Sequence, residues 1–178
     1  MTFLVRGATA TATDDAELLA LRAEVCGASA SADAHADAHA DDAARQLRVR
    51  RRQPGFVLAE ARHGGYLVGY AAGLPLRPST SWWKDLTTPL PADLTTEYPG
   101  RTFAIAEFLV RASWRRQGIG RTLHDLILDG RPEERATVTI LPGAAAAQAA
   151  FKRWGWRRIA RTNAPGAPVL DVLVRDVH

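Results

Sequence analysis

Phe103 to Gly130, FAIAEFLVRASWRRQGIGRTLHDLILDG, carries a strand, a turn and a helix in immediate succession. Its first part, FAIAEFLV, is apolar except for Glu107, which predicts a strand covered on both faces. A short turn bearing arginines and glycines, RRQGIG, follows. From there the apolar positions Ile119, Leu123, Leu126 and Ile127 recur at helical spacing. Asp129-Gly130-Arg131-Pro132 ends the helix, because Gly130 can adopt the left-handed cap and Pro132 cannot continue the helix.

A strand feeding a glycine turn into a helix N-terminus makes an anion site. The first helical amides lack intrahelical partners, and the macrodipole places partial positive charge there. Gly118 and Gly120 have no Cβ, so a phosphate can approach the backbone. Arg115, Arg116 and Arg121 add charge, and a guanidinium forks onto phosphate oxygens. The expected ligand is a diphosphate. A Walker loop would need a Lys-Ser or Lys-Thr pair, and the chain has neither. A dinucleotide fingerprint would need a third glycine where Leu123 stands. What remains is Arg115-x-x-Gly118-x-Gly120 after a strand ending Phe108-Leu109-Val110. It resembles motif A of the GNAT acyltransferase superfamily, the loop that holds the pyrophosphate of coenzyme A.

A length of 178 residues, with 47% hydrophobic content, suits a single domain, residues 1–178, with a real core. The 23 basic and 19 acidic residues leave a formal charge of +4. That excess suits a phosphorylated cofactor and is too small to argue for nucleic acid. Cys26 is the only cysteine, so no intrachain disulfide is expected and a reducing cytosol is the default. Its surroundings offer nothing to lower its pKa, so an inert core thiol is expected. The start, MTFLVRGATA, is too short an apolar run for a signal peptide, and no run is long enough to cross a bilayer. A soluble, cytoplasmic protein without a membrane partner is expected.

Along the chain, Thr2 to Val5 predicts a strand, and Thr13-Asp14-Asp15 caps a helix running to Gly27. The low-complexity stretch SASADAHADAHADDAAR follows. In it His35 and His39, like Asp37 and Asp41, are spaced as ligand ladders on a helix, but a solvated alanine-biased helix or linker is expected, with no metal. Arg48, Arg50, Arg51 and Arg52 read first as a solvated helix end, with contact to the cofactor or an acidic partner as the other reading. Strands at 56–60 and 66–74 meet at a hairpin turn, His63-Gly64-Gly65. Pro75 to Gly100 is a long inserted loop with five prolines and the pair Trp82-Trp83. Those tryptophans serve either as a lid over substrate or as packing. Asp85, Asp93 and Glu97 read first as solvated loop charges, with binding of an acceptor ammonium group as the other reading. Beyond the central helix, a strand at 136–141, a helix at 144–154 and strands at 156–160 and 169–174 complete the order.

That order is similar to the whole GNAT fold: an α/β (α+β) architecture with a mixed, mostly antiparallel sheet of about six to seven strands flanked by helices. In that family a later helix carries N-x-x-A-x-x-x-Y-x-x-x-G-F. Here it reads Ala144-x-x-Ala147-x-x-x-Phe151-x-x-x-Gly155-Trp156, without the asparagine and the tyrosine. The resemblance implies acetyl-CoA as co-substrate. Its pyrophosphate would lie on the loop Arg115, Arg116, Gln117, Gly118, Ile119, Gly120, Arg121 and Thr122, its pantetheine along Phe108, Leu109 and Val110, and Phe151 beside it. His124 reads as a packed or capped helix residue, and Trp114 as packing under the cofactor.

Acyl transfer to an amine needs a base, oxyanion donors and a leaving thiolate. Glu107 is the candidate base, the one ionisable group in its strand, with burial expected to raise its pKa. Its other reading is a carboxylate paired with an arginine of a neighbouring element. Phe151 cannot act as the acid that the family's tyrosine supplies. The function expected is acetyl-CoA-dependent N-acetylation of a primary amine, on a small molecule, with Trp82 and Trp83 near the acceptor. A protein N-acetyltransferase and a non-catalytic acyl-CoA sensor are the rivals. A homodimer through the Trp82-Trp83 loop or the last strands is compatible with the sequence.

Overall fold

Short alternating segments such as TFLVRG and VLAEARH pair into strands, and amphipathic runs cover them. In the computed structural model, which describes residues 1–7, 15–27 and 36–178 (36–41 without side chains), seven strands form one mixed sheet, ordered β1-β2-β3-β4-β5-β7-β6. The fold is the α/β architecture expected. Two compact units divide the chain: Met1–Leu74 with Glu107–Asp129, and Pro75–Ala106 with Gly130–His178.

In the first unit β1 (Thr2–Gly7) pairs antiparallel with β2 (Val57–His63), and β2 with β3 (Tyr66–Pro75). Gly64 and Gly65, at φ 56° and 85°, make the expected tight turn, since both central residues need the left-handed region. Helices α1 (Asp15–Gly27) and α2 (Ala36–Arg51) supply Leu18, Leu21 and Leu47 to a core with Phe56, Leu58, Leu67, Tyr70 and Ala72. Leu109, from the end of β4 (Thr102–Val110), packs against the same cluster. The cap residues Thr13 and Asp14, His35, and the side chains of Asp37, His39 and Asp41 lie outside the described residues.

In the second unit the start of β4 runs parallel to β5 (Arg135–Ile140), from Thr102↔Arg135 to Ile105↔Val138, where the ladder ends. A parallel pair needs a long crossover, and the connection contains α4 (Ile119–Leu128). β7 (Asp171–Asp176) pairs antiparallel with β5 and with β6 (Arg157–Arg161). The proline-rich loop is ordered. It carries a single turn, α3 (Ala92–Thr95), and an isolated bridge, Leu86↔Thr162. α5 (Ala145–Arg153) buries Phe151, whose ring centroid lies 5.2 Å from that of Trp154 and 5.3 Å, edge-on, from that of Trp156.

Candidate active site

The loop between β4 and α4 is fastened at its start and open at its end. Arg111 fixes the start. Its N–H donates to the Val68 carbonyl and its Nε to the Leu67 carbonyl, both at 2.9 Å. Its guanidinium sits 4.4 Å from the Tyr66 ring centroid and pairs with Glu24 of α1. A short 3-10 turn, Ala112–Trp114, follows. Inside the loop Arg115 Nε donates to the Val110 carbonyl at 3.0 Å, and Gln117 Nε2 to the Ser113 carbonyl at 3.1 Å. Trp114 stacks at a tilt 4.9 Å from His63, a packing role.

Gly118, at φ 82°, is the residue before α4, and its carbonyl receives the first helical bond from Thr122 N–H at 3.0 Å. The amides of Ile119, Gly120 and Arg121 therefore have no intrahelical acceptor, and no side chain caps the helix. A Cβ on Gly118 would meet nothing within 4 Å, so its glycine serves the turn's backbone and leaves the space beside it open. Arg116 adopts φ 62°, a conformation that costs a non-glycine residue roughly 1–2 kcal/mol. Arg115, Arg116 and Arg121 are exposed. Three uncapped amides, a helix dipole and three exposed arginines thus gather on one loop, an arrangement that favours negative charge. Inward, Ile119, Leu123, His124 and Ile127 are buried; His124 takes the place expected for Leu126, its Nδ1 2.9 Å from Asp125 Oδ1.

Glu107 is the hub of an ion network. Its Oε1 accepts from Arg22 Nη1 of α1 at 2.8 Å and from Arg50 Nη1 of α2 at 3.3 Å, and its Oε2 accepts from the Tyr70 hydroxyl. Its side chain is 8% exposed. Pairing with arginines of neighbouring elements, one of the two readings of this residue, is thus present. Arg22, Arg50 and Tyr70 were not legible in the sequence as partners of Glu107. The signal was faint: Arg22 lies four residues after the core residue Leu18, and Arg50 within an arginine run. That run is not merely solvated: Arg50 holds Glu107 and Arg51 pairs with Asp15. Burial pushes the Tyr70 phenol far above its usual pKa, reinforced by the Glu107 charge.

Phe108, Leu109 and Val110 are half-buried at the end of β4. A Cβ on Gly69 would stand 2.9 Å from the Leu109 carbonyl oxygen, so glycine there lets β3 approach this segment closely. The remaining candidates belong to the second unit. Phe151, 2% exposed, is packed among tryptophans. Both indole N–H groups of the tryptophan pair are engaged: Trp82 Nε1 donates to Thr137 Oγ1 at 3.1 Å and Trp83 Nε1 to Glu97 Oε1 at 2.8 Å. Glu97 is not a solvated charge but a buried one, also bonded to Thr102 and Arg135. Cys26 is exposed rather than in the core, its thiol pushed up by desolvation and by Glu107 against the opposing Arg22. Among the described residues no group of three or more His, Cys, Asp or Glu side chains gathers around a metal-sized site, and no helix is long and apolar enough to cross a membrane.

Several solved structures share the fold at low identity. An aminoglycoside 6'-acetyltransferase type Ii superposes with a TM-score of 0.69 at 11% identity, over 100% of this chain and 98% of that one. The PaiA N-acetyltransferase of Thermoplasma acidophilum, solved in complex with coenzyme A, gives 0.65 at 9%, over 99% of both chains. A ribosomal-protein-alanine N-acetyltransferase of Brucella melitensis gives 0.63 at 21%, over 97% of this chain and 99% of that one. No curated protein matches the sequence. The sequence model of the acetyltransferase (GNAT) family, whose members are generally acyltransferases using acetyl-CoA, matches residues 20–156, a span holding β4, the glycine loop, α4 and α5. The chain belongs to the GNAT acetyltransferase family.

Proposed function

We propose that the protein is a single-domain, cytoplasmic N-acetyltransferase that moves the acetyl group of acetyl-CoA to the primary amine of a small molecule. The observation that carries this is the uncapped front of α4, with Gly118 in the left-handed region and three amides without acceptors. Those amides and Arg115, Arg116 and Arg121 hold the pyrophosphate. The pantetheine arm follows Phe108, Leu109 and Val110, beyond the point where the β4–β5 ladder has ended. The N–H of Leu109 or Val110 bonds the thioester oxygen as negative charge develops on it.

A carboxylate has about four lone-pair sites, and Arg22, Arg50 and Tyr70 fill three of them on Glu107. The site left on Oε2 takes the ammonium proton through a water. The amine then attacks the thioester carbon, the C–S bond breaks as the thiolate leaves, and the nitrogen gives its second proton to solvent, so that a neutral amide is formed. Phe151 offers no proton to it. A thiol with a pKa near about 8.5 leaves tolerably as thiolate at neutral pH, so solvent completes the step.

A melt series with coenzyme A and acetyl-CoA, followed by a thiol-release assay over a panel of amines, tests the proposal. A rise in melting temperature with either nucleotide, and thiol release that depends on the amine, are expected. A melt that neither compound moves would overturn the binding reading. Binding without release from any amine would make the protein a sensor instead.

A further inference from the structure

We propose that Arg22 and Arg50 form a carboxylate subsite, so that the acceptor is a small zwitterion bearing a carboxylate close to its amino group, as an amino acid does. For the amine this rests on the acyltransferase reading above; for the anion it stands on the charges themselves.

Two guanidiniums from different helices meet a single carboxylate oxygen, Oε1 of Glu107. Among the described residues one positive charge is left over. Tyr70 does not cancel it, being held neutral by burial and by Glu107. The other acids of α1 are committed: Asp15 to Arg51, Glu17 to Arg62 and Glu24 to Arg111. Asp42 of α2 is exposed, accepts from Gln46 Nε2 at 2.5 Å, and attracts Arg50 less than Glu107 does.

Donors are left over too. A guanidinium has five N–H groups. Among the described residues Arg22 spends Nη1 on Glu107 and makes no other side-chain hydrogen bond. Arg50 adds only a long contact, 3.4 Å, to Gln46 Oε1. Their side chains are 31% and 28% exposed, open enough to meet a ligand and sheltered enough for its charge to count. Burial pulls the pKa of Arg50 below the usual arginine value, and Glu107 offsets this only in part. An arriving carboxylate supplies the missing countercharge, and its plane matches the guanidinium fork.

Spacing narrows the class further. The anion docks on the guanidiniums at Oε1 while the amine gives its proton, through one water, to Oε2 of the same carboxyl group. Only an acceptor whose two groups are a few atoms apart reaches both.

The test compares matched acceptors, glycine with glycinamide and β-alanine with its amide, in the thiol-release assay. The wild type should favour the acids. In Arg22→Gln the acid-to-amide ratio of kcat/KM should fall roughly tenfold or more, the worth of a charge-assisted hydrogen bond. Comparing ratios between variants cancels the intrinsic difference in amine basicity. Arg22→Lys should keep part of the preference, which a merely structural role would not produce. An unchanged ratio in Arg22→Gln overturns the proposal. A second arm needs no turnover: N-acetylglycine is titrated calorimetrically into protein saturated with coenzyme A. Heat with the wild type that vanishes in Arg22→Gln supports the subsite, and absence of heat with the wild type overturns it. Failure of every amine to release thiol would sink the acetyltransferase reading alone, because the N-acetylglycine titration still decides the subsite.

Discussion

Glu107 carries the proposed proton transfer, and its neighbours set what a substitution there does. Glu107→Gln keeps the shape and most of the hydrogen-bonding capacity toward Arg22 and Arg50 but cannot take the amine's proton. Turnover should fall by about 10²–10⁴-fold, the usual worth of general-base help, while coenzyme A affinity, measured by calorimetry, stays within the wild-type range. A variant as active as the wild type across a pH series would leave Glu107 a structural ion only. The residue itself was conspicuous in the sequence as the lone charge of an apolar strand. Its partners were not: Arg22, Arg50 and Tyr70 lie 85, 57 and 37 residues away in sequence. Spacing along a chain reveals what shares a face of one element, not what a second and third element bring to it. The glycine turn before α4, by contrast, was legible as a turn, although the sequence marked Gly118 for ligand approach and not for its left-handed backbone.

Among the elements, the long loop differs most from its reading. Composition marked it as irregular, and it is, yet a buried ion pair ties it to β5. Glu97 Oε1 accepts from Trp83, Thr102 and Arg135, the last at 3.0 Å. Arg135 also donates to the Leu94 carbonyl at 2.7 Å and lies 5.2 Å from the Trp83 ring centroid. Arg135→Met would leave the Glu97 carboxylate buried without its countercharge and should destabilise the fold by about 3–5 kcal/mol. The double variant Arg135→Met with Glu97→Leu should recover much of that loss, and urea unfolding of the three proteins measures both. A single variant as stable as the wild type would show that the pair does not hold the loop. The sequence offered no sign of this, since Glu97 stands among polar loop residues and only its burial sets it apart. The helices and most strands were legible within a residue or two, because periodicity reports which residues face a core.

The whole molecule has an acid limit of stability that one carboxylate helps to set. Desolvation works to raise the pKa of Asp171, but hydrogen bonds from Arg161 at 2.7 Å and Gln148 at 2.8 Å outweigh it and hold the group below its ordinary value. A carboxyl depressed by folding contributes stability above its unfolded pKa, about 3.9. That contribution is lost as the pH falls through the lower folded value. The melting temperature of Asp171→Asn should therefore lie below wild type at neutral pH, and the gap should close as the pH drops below about 4. A gap constant from pH 7 to 3 would show that the charge is immaterial. A mixed, mostly antiparallel sheet of about six to seven strands was expected from the order of elements, whereas the order of its strands and its ion pairs were not. The anchoring of Arg111 on Leu67, Val68 and Glu24 has a thermodynamic corollary for ligand capture. A cradle already stiff in the empty protein surrenders little disorder when its guest arrives, so more of the contact energy is kept as affinity. Arg111→Ala, which removes a side chain turned toward the hairpin and α1, should for that reason weaken coenzyme A through a more adverse entropy while the enthalpy of contact barely changes.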